Sequence, residues 1–356
     1  MNNIKLSLII LAVIVLVPSC INDEAVQVPY NGNTPVEIDD GMQISTPDAQ
    51  GFDTEKLEEI YTTLSNEEVY PNLKSLLVMK NGHLVAESYF KDPGDMERIH
   101  AVMSVTKSIT SLVTGIAIDK GFLDSIDIPV YNYLSGYFDN DTSKKDITLR
   151  HLLTMESGLD YDNEVHTNEM IYCKGSSLSY VLSRPMTFSP GEDWYYGDGN
   201  PQLISGIITS LSGKTMEEIA SEYLFKPLEI REYFWEQHSD GLSLGGMGLW
   251  LKPRDMAKIG QLMLNNGVWE GQEVLSGEWI SESTIKRANH RDYGYFWLTS
   301  ENISFWASGK GGQIIWILPG ENLVVVVTSD SFAKTWLLSE GSYDYIFQAI
   351  YDAIIR

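Results

Sequence analysis

Apolar residues follow two regimes along this chain. Near its ends they come in short, nearly unbroken runs rich in valine, isoleucine, tyrosine and tryptophan, the signature of buried strands. In the middle they recur every three to four positions, the period of helices. SLLVMKNGHLVAESYF (75–90) is two strand-like runs around Asn81-Gly82, the strongest two-residue signal for a hairpin. YGYFWLTS (293–300), ISFWASG (303–309), QIIWILPG (313–320) and NLVVVVTS (322–329) predict further strands, with Gly320-Glu321 at the last turn. LLSEGSYDYIFQAIYDAIIR (337–356) predicts a closing helix.

Between these ends, HAVMSVTKSITSLVTGIAIDKG (100–121) places Ile109, Leu112, Val113 and Ile116 on one helical stripe. ITLRHLLTMESG (147–158) has the same period, and PQLISGIITSLSG (201–213) adds a glycine past its end. KPRDMAKIGQLMLNNG (252–267) has proline near its start, an acid in the first turn and glycine after the last. Strands from both termini with helices between them predict an α/β (α+β) fold. Its antiparallel sheet is built from both termini and flanked by helices, with a mostly helical inserted domain. The division read from this pattern is 46–100 plus 291–356 as an α/β subdomain and 101–290 as a mainly helical subdomain.

The first residues stand apart. Lys5 precedes an apolar run from Leu6 to Val17 and then Val17-Pro18-Ser19-Cys20. The run is short for a span, which needs about 20 apolar residues, and reads as an export signal over 1–20. Its end resembles a lipobox, so Cys20 is expected to become a lipidated N-terminus in the cell envelope. An ordinary signal peptide or an uncleaved anchor is the plainer reading of the same run. Residues 21–45 are polar, acidic and turn-rich, and read as a flexible tether.

Composition narrows the function classes. Forty-nine acids against 25 bases give a net charge of −24, a surface that repels nucleic acid and anionic headgroups. Contact with a membrane is therefore expected only through the lipid on Cys20. Cys173 is the second of two cysteines, so no disulfide framework is possible and a structural thiol is expected. Six scattered histidines show no H-x-x-x-H or H-E-x-x-H pattern, so neither metal nor cofactor is expected.

Candidate chemistry begins at Ser104 and Lys107, at the head of the 100–121 helix. Positions i and i+3 share a helix face, with β-carbons about 5–6 Å apart. A lysine at a dry helix end loses hydration, which favours its neutral form, and a neutral lysine can take a serine proton. Helix N-terminal amides can help stabilise an oxyanion. A capping serine beside a surface lysine gives the same spacing. A rival nucleophile signal is Gly241-Leu242-Ser243-Leu244-Gly245, which matches G-x-S-x-G. It lacks the buried strand before and the helix after that such an elbow needs, so Ser243 reads as a loop residue.

Taken in order, several segments carry a resemblance. They are SVTK (104–107), LRHLLTMESGL (149–159), FSPGEDWYYGDGNPQLISGII (188–208), GGMGLWLKPRDMAKIGQLMLNNGVWEGQEVL (245–275) and SGKGGQIIWILPGENLVVVVTS (308–329). Over roughly residues 50 to 350 they resemble the serine β-lactamase-related family, the class C branch with its penicillin-binding and esterase relatives. YxDGxxQL with GxGGQ looks most like the branch that includes 6-aminohexanoate-dimer hydrolase, whose members cleave linear amides and some esters.

The resemblance implies a β-lactamase/transpeptidase-like fold forming one catalytic unit, with Ser104 as the acylated nucleophile and Lys107 as its base partner. Counting from Pro190-Gly191 puts Tyr196 in the tyrosine place of the second box, with Tyr195 adjacent if the register slips. Asp198 stands where the family has asparagine. Near Lys107 it would favour the ammonium and shift base work to Tyr196; pointing outward it would serve substrate binding. Lys310-Gly311-Gly312 matches the K-T-G box, and the Gln313 N–H would join that of Ser104 in the oxyanion hole. Lys310 would bind a substrate carboxylate, and Tyr161 after SGLD is a substrate contact. The implied activity is a serine hydrolase working through an acyl-enzyme on a small-molecule or peptide substrate, a linear amide or ester ahead of a β-lactam. Alternatives are a D-amino-acid peptidase or β-lactamase on the same site, or a non-catalytic peptide-binding envelope lipoprotein.

Overall fold

A computed structural model describes residues 32–66, 68–138, 142–301, 303–333 and 340–355. The export signal, Cys20 and the first part of the tether lie outside the described residues. Among the described residues no helix is long and apolar enough to cross a membrane.

Among the described residues the main sheet has seven strands. Their spatial order is Gln43–Ile44, His83–Tyr89, Leu73–Lys80, Leu323–Ser329, Gln313–Leu318, Ser304–Gly309 and Leu298–Ser300. The two chain ends meet at its centre, where Leu323–Ser329 pairs antiparallel with Leu73–Lys80. Asn81 (φ 53°) and Gly82 (φ 80°) make the hairpin turn the sequence predicts. The sheet is mixed rather than wholly antiparallel, because Gln43–Ile44 runs parallel to His83–Leu84 at one edge.

Alternate side chains of a strand face opposite ways, and here both faces are covered. Val324 and Val326 belong to the core shared with the middle helices, while Leu323, Val325 and Val327 pack with Leu57, Ile346 and Ile350 from the terminal helices. A fully buried valine contributes roughly 1.5–3 kcal/mol, so the LVVVV run is drawn inward from both sides and shows no polar alternation. The middle helices include Val105–Asp119, Gly199–Ser212 and Pro253–Leu264. Val105 to Ala117 are all buried, so the 105–119 helix is enclosed on every side rather than presenting a stripe.

Three expectations change. The 293–300 strand begins only at Leu298, because Phe296 takes a φ of 61° and breaks it. The helix in 147–158 covers only Leu149–Leu153, and Met155 with φ 62° lies just beyond it. The tether stops being one at Asn33. The Asn33 carbonyl accepts from Glu87 N, the Val36 N–H donates to Glu87 Oε1, and Arg254 reaches Asp40 at 3.0 Å and the Val36 carbonyl at 2.6 Å. Polar composition suggested a free segment, but these polar groups are satisfied by partners on the body of the protein.

Candidate active site

Ser104 is placed by the turn that starts the 105–119 helix. Met103 carries a φ of 49°, a left-handed conformation that costs a side-chain-bearing residue energy and marks a held position. The hold comes from neighbours: Val102 N donates to the Leu249 carbonyl, and Thr106 Oγ1 donates to the Met103 carbonyl at 2.6 Å while accepting from Leu249 N. Ser104 lies on the wall of a cleft with Lys107, Tyr196 and Asp198. Its N–H has no partner among the described residues.

Lys107 is 1% exposed. Its amine donates to Ser104 Oγ at 3.0 Å and to the Gly246 carbonyl at 2.9 Å, and lies 2.5 Å from Asp198 Oδ1. An ammonium has three N–H groups and no acceptor; Ser104 Oγ and the Gly246 carbonyl take two of them, and the Asp198 carboxylate faces the amine as a counter-charge. Burial pulls the lysine down in pKa, but the Asp198 carboxylate and the Tyr196 oxygen outweigh it, and the net direction is up. The neutral lysine expected at a dry helix end is therefore corrected: Lys107 is charged. Asp198 points inward and does not serve as an outward substrate contact. Its Oδ1 meets no aligned hydrogen-bond donor, so the approach to Nζ is held by charge. Its Oδ2 accepts from Thr167 Oγ1 at 2.7 Å, and its N–H donates to Asn163 Oδ1 at 2.8 Å.

Of the two adjacent tyrosines, Tyr196 lines the cleft, and the Lys107 amine sits 4.7 Å from its ring centre. Tyr195 is 41% exposed and turned away. Trp194 backs Tyr196 at 6.0 Å between ring centres and meets Tyr293 edge-on at 5.7 Å. Burial pushes the Tyr293 phenol well up, with Tyr196 and Asp198 adding to it, so it faces the cleft as a neutral hydroxyl. Tyr161 is not a substrate contact. It is 2% exposed and lies beneath the 195–199 loop, where a β-carbon on Gly199 would stand 2.8 Å from its ring. Its hydroxyl donates to the His166 carbonyl at 3.2 Å, so it supports the second box from below.

The third box shifts register by three residues. Lys310-Gly311-Gly312 is the turn of a hairpin, not strand: Gly312 N donates to the Gly309 carbonyl, and Gly311 and Gly312 hold φ of 83° and 110°. That φ, rather than a substrate, explains glycine at both places. Gln313 is fully buried one strand inward, paired with Gly309, and its side chain is tied to the Ser329 backbone. The strand beside Ser104 is instead Ser304–Gly309. A β-carbon on Gly309 would fall 2.3 Å from the Val102 carbonyl and 3.1 Å from Met103 Cβ, so only glycine lets this strand approach. Gly309 turns its carbonyl toward Gly312, which aims the Ser308 and Lys310 peptide groups the opposite way, to the open edge. The Lys310 N–H has no partner among the described residues, and Ser308, Gly309 and Lys310 line the cleft, with the Lys310 side chain exposed at its mouth.

Several site groups left no readable trace in the sequence. The Gly246 carbonyl carries no side-chain signal. Asn163 and Thr167 sit on the Asn163–Tyr172 helix, whose apolar residues do not gather on one face. Ser243, the rival nucleophile, is fully buried in a loop, where its Oγ accepts from Glu217 N.

Comparison with known proteins places this geometry. The chain is 25% identical to the 6-aminohexanoate-dimer hydrolase of Paenarthrobacter ureafaciens over 291 residues, 72% of each chain. Among solved structures, a family VIII carboxylesterase superposes with a TM-score of 0.68 at 15% identity, covering 84% of this chain and 97% of that one. A penicillin-binding protein homologue from Caulobacter crescentus gives 0.67 at 13% identity, with 84% and 97% covered. These show the β-lactamase/transpeptidase-like fold. The family model described as Beta-lactamase matches residues 74–342 of the 356, well over half of the chain, which therefore belongs to the beta-lactamase family.

Proposed function

We propose that this chain is a serine hydrolase that cleaves linear amides and esters through an acyl-enzyme on Ser104. The observation that carries the reading is the Lys107 amine 3.0 Å from Ser104 Oγ on an open cleft wall. Ser104 attacks the carbonyl carbon, and the N–H groups of Ser104 and Lys310, both without partners among the described residues, receive the oxyanion. Lys107 stays charged and holds the Ser104 oxygen in place. The Tyr196 side chain, which lines the cleft beside Lys107, relays the proton: its oxygen takes the serine hydrogen as its own hydrogen passes to the leaving amine or alkoxide. Water then hydrolyses the ester, with the same groups in reverse order.

The substrate class follows from the shifted box. The strand beside Ser104 reads Ala307-Ser308-Gly309, so no lysine side chain projects from it. The Lys310 side chain is exposed at the cleft mouth, where it meets the far end of an extended substrate rather than a compact bicyclic lactam. The hydrolase named among the relatives acts, by its name, on a dimer of 6-aminohexanoate, which agrees. Export with lipid on Cys20 belongs to the same proposal and places the enzyme in the cell envelope; incorporation of a labelled fatty acid that stops in Cys20→Ser checks it.

The test of the chemistry is intact-protein mass spectrometry after incubation with a fluorophosphonate, a penicillin and an activated ester, beside Ser104→Ala. The expected result is a phosphonyl adduct and a transient acyl adduct on the wild type, both absent from the variant. No adduct on folded wild type, with saturable peptide binding, would instead make the protein a binder.

A further inference from the structure

Beyond Tyr196 the cleft wall carries a cation that the acyl-transfer scheme does not use. Arg291 and Tyr293 both line the cleft, at the two ends of a tight turn in which the Tyr293 N–H donates to the Arg291 carbonyl at 2.9 Å. The Tyr293 carbonyl accepts from Arg287 N and Ala288 N, so this short segment is fixed. Both side chains turn to Trp194. The Arg291 guanidinium lies over its ring, 5.4 Å from the centre, and Tyr293 meets it edge-on. Asp292, between them, is paired with Lys286 at 2.9 Å instead.

Neither side chain is spent on the protein. A guanidinium is charged at every working pH and has five N–H donors. Among the described residues that of Arg291 meets no carboxylate and no carbonyl, and its side chain is exposed. Stacking on Trp194 takes up its face and leaves its N–H edge free. The Tyr293 hydroxyl also has no hydrogen-bond partner among the described residues. Burial, with Tyr196 and Asp198 adding to it, keeps that phenol neutral, so it faces the cleft as a donor. The chain has 49 acids against 25 bases, so a free guanidinium in the cleft is a local positive spot within a field that repels anions. Its position relative to the nucleophile is set by contacts no longer than 6.0 Å, which lead from Ser104 Oγ through Lys107, Tyr196 and Trp194 to Arg291. Tyr196 is the group that passes its hydrogen to the leaving amine or alkoxide, so the departing half of the substrate lies on the Arg291 side.

We propose that Arg291, with Tyr293 as a second donor, sets specificity by binding a carboxylate on the leaving group, so that the preferred substrates are acylated amino- or hydroxycarboxylic acids. The inference deepens the Ser104 reading and rests on it. The carboxylate accepts from the N–H edge of the guanidinium and from the Tyr293 hydroxyl, in charge-assisted hydrogen bonds. Held at that end, the leaving atom stays beside Tyr196. No bond or proton changes hands at Arg291, so its part is binding. Lys310, exposed after the Ser304–Gly309 strand, is left for the acyl end.

The experiment compares kcat/KM for meta-acetoxybenzoate and meta-acetoxybenzamide, two aryl esters whose leaving phenols differ in charge, with wild type, Arg291→Gln, Tyr293→Phe and Lys310→Gln. The ratio of the two values, benzoate over benzamide, is the readout. Arg291→Gln is expected to lower that ratio by on the order of tenfold, and Tyr293→Phe by less in the same direction. Loss of support for Trp194 and Tyr196 would slow both esters alike and leave the ratio where it was. A ratio unchanged in Arg291→Gln, which alters an exposed side chain and should fold, would overturn the proposal. So would a ratio that falls in Lys310→Gln but not in Arg291→Gln, since the carboxylate would then bind at the cleft mouth. Turnover of both esters with an unchanged ratio sinks this inference alone. No turnover of either, together with no fluorophosphonate adduct on Ser104, would remove the Ser104 reading and this inference with it.

Discussion

Two clusters of buried charge sit on this scaffold and behave as opposites. At one edge of the sheet, Arg254 is closed in: Glu87 grips it with both oxygens, Asp40 adds a third carboxylate oxygen at 3.0 Å, and the Val36 carbonyl a fourth acceptor. Glu87 is equally occupied, accepting from Val36 N and Tyr89 Oη. In the cleft, Lys107 and Asp198 are as deeply buried, yet one of the lysine's three contacts is a serine hydroxyl on the cleft wall, and Asp198 Oδ1 lacks an aligned donor. Desolvating charge is costly in both places. The closed cluster uses it to fix the N-terminal segment to the body, and the open one keeps a reactive oxygen beside a fixed cation. What separates structure from chemistry is access, not burial.

The contrast can be broken from either side. The largest effect is expected in the open cluster: Ser104→Ala should lower ester turnover by at least about a thousandfold with an unchanged thermal midpoint, because a single hydroxyl at a cleft wall carries little stability. Arg254→Met should do the reverse, costing about 3–5 kcal/mol in denaturant unfolding by stranding Glu87 and Asp40, while activity per folded molecule persists. Next comes Asp198→Asn. Without the carboxylate, burial wins and Lys107 loses its charge at a lower pH than in the wild type, where it is held above its ordinary 10.5. Turnover should fall by on the order of tenfold to a hundredfold, and the alkaline limb of the kcat/KM profile should move toward neutrality.

The smallest effect sharpens the closed side. Asp255 heads the Pro253–Leu264 helix, and burial pushes its carboxyl from 3.8 up to about 6. Below pH 3.8 both folded and unfolded chains carry this proton; as pH rises through 6 the unfolded chain gains by ionising first, so stability is lost. Asp255→Asn should therefore gain on the wild type by on the order of 2–3 kcal/mol between acid and mildly alkaline pH, read from urea midpoints at the two extremes.

Much of this was legible. Unbroken apolar runs at both ends gave a sheet closed by the two termini, because strands covered on both faces need no polar alternation. Spacing alone put Ser104 beside Lys107, while Tyr196, with Tyr195 as its rival, came only through the family resemblance, counted from Pro190-Gly191. The misreadings share a cause. In Gly309-Lys310-Gly311-Gly312 the residue types fit more than one register, and only the position of the hairpin turn decides which amide faces Ser104. Residues 33–44 read as free tether because composition records polarity but not partners, and Tyr161 read as a substrate contact because its place before the second box says nothing of its burial. Arg254 and Asp40 lie 214 positions apart, a pairing that local pattern cannot contain.

The pairing of Leu323–Ser329 with Leu73–Lys80 also sets an order of assembly. During synthesis the ribosome releases Ser104 and Lys107 long before the strand that completes the sheet. Until residue 323 emerges, the 73–80 strand shows a bare apolar edge, a template for pairing with other chains. A premature stop between residues 319 and 322 would leave every reactive side chain in place and no inner neighbour for the 313–318 strand on which the Gly309 strand rests, so a translated nucleophile would never become an assembled one.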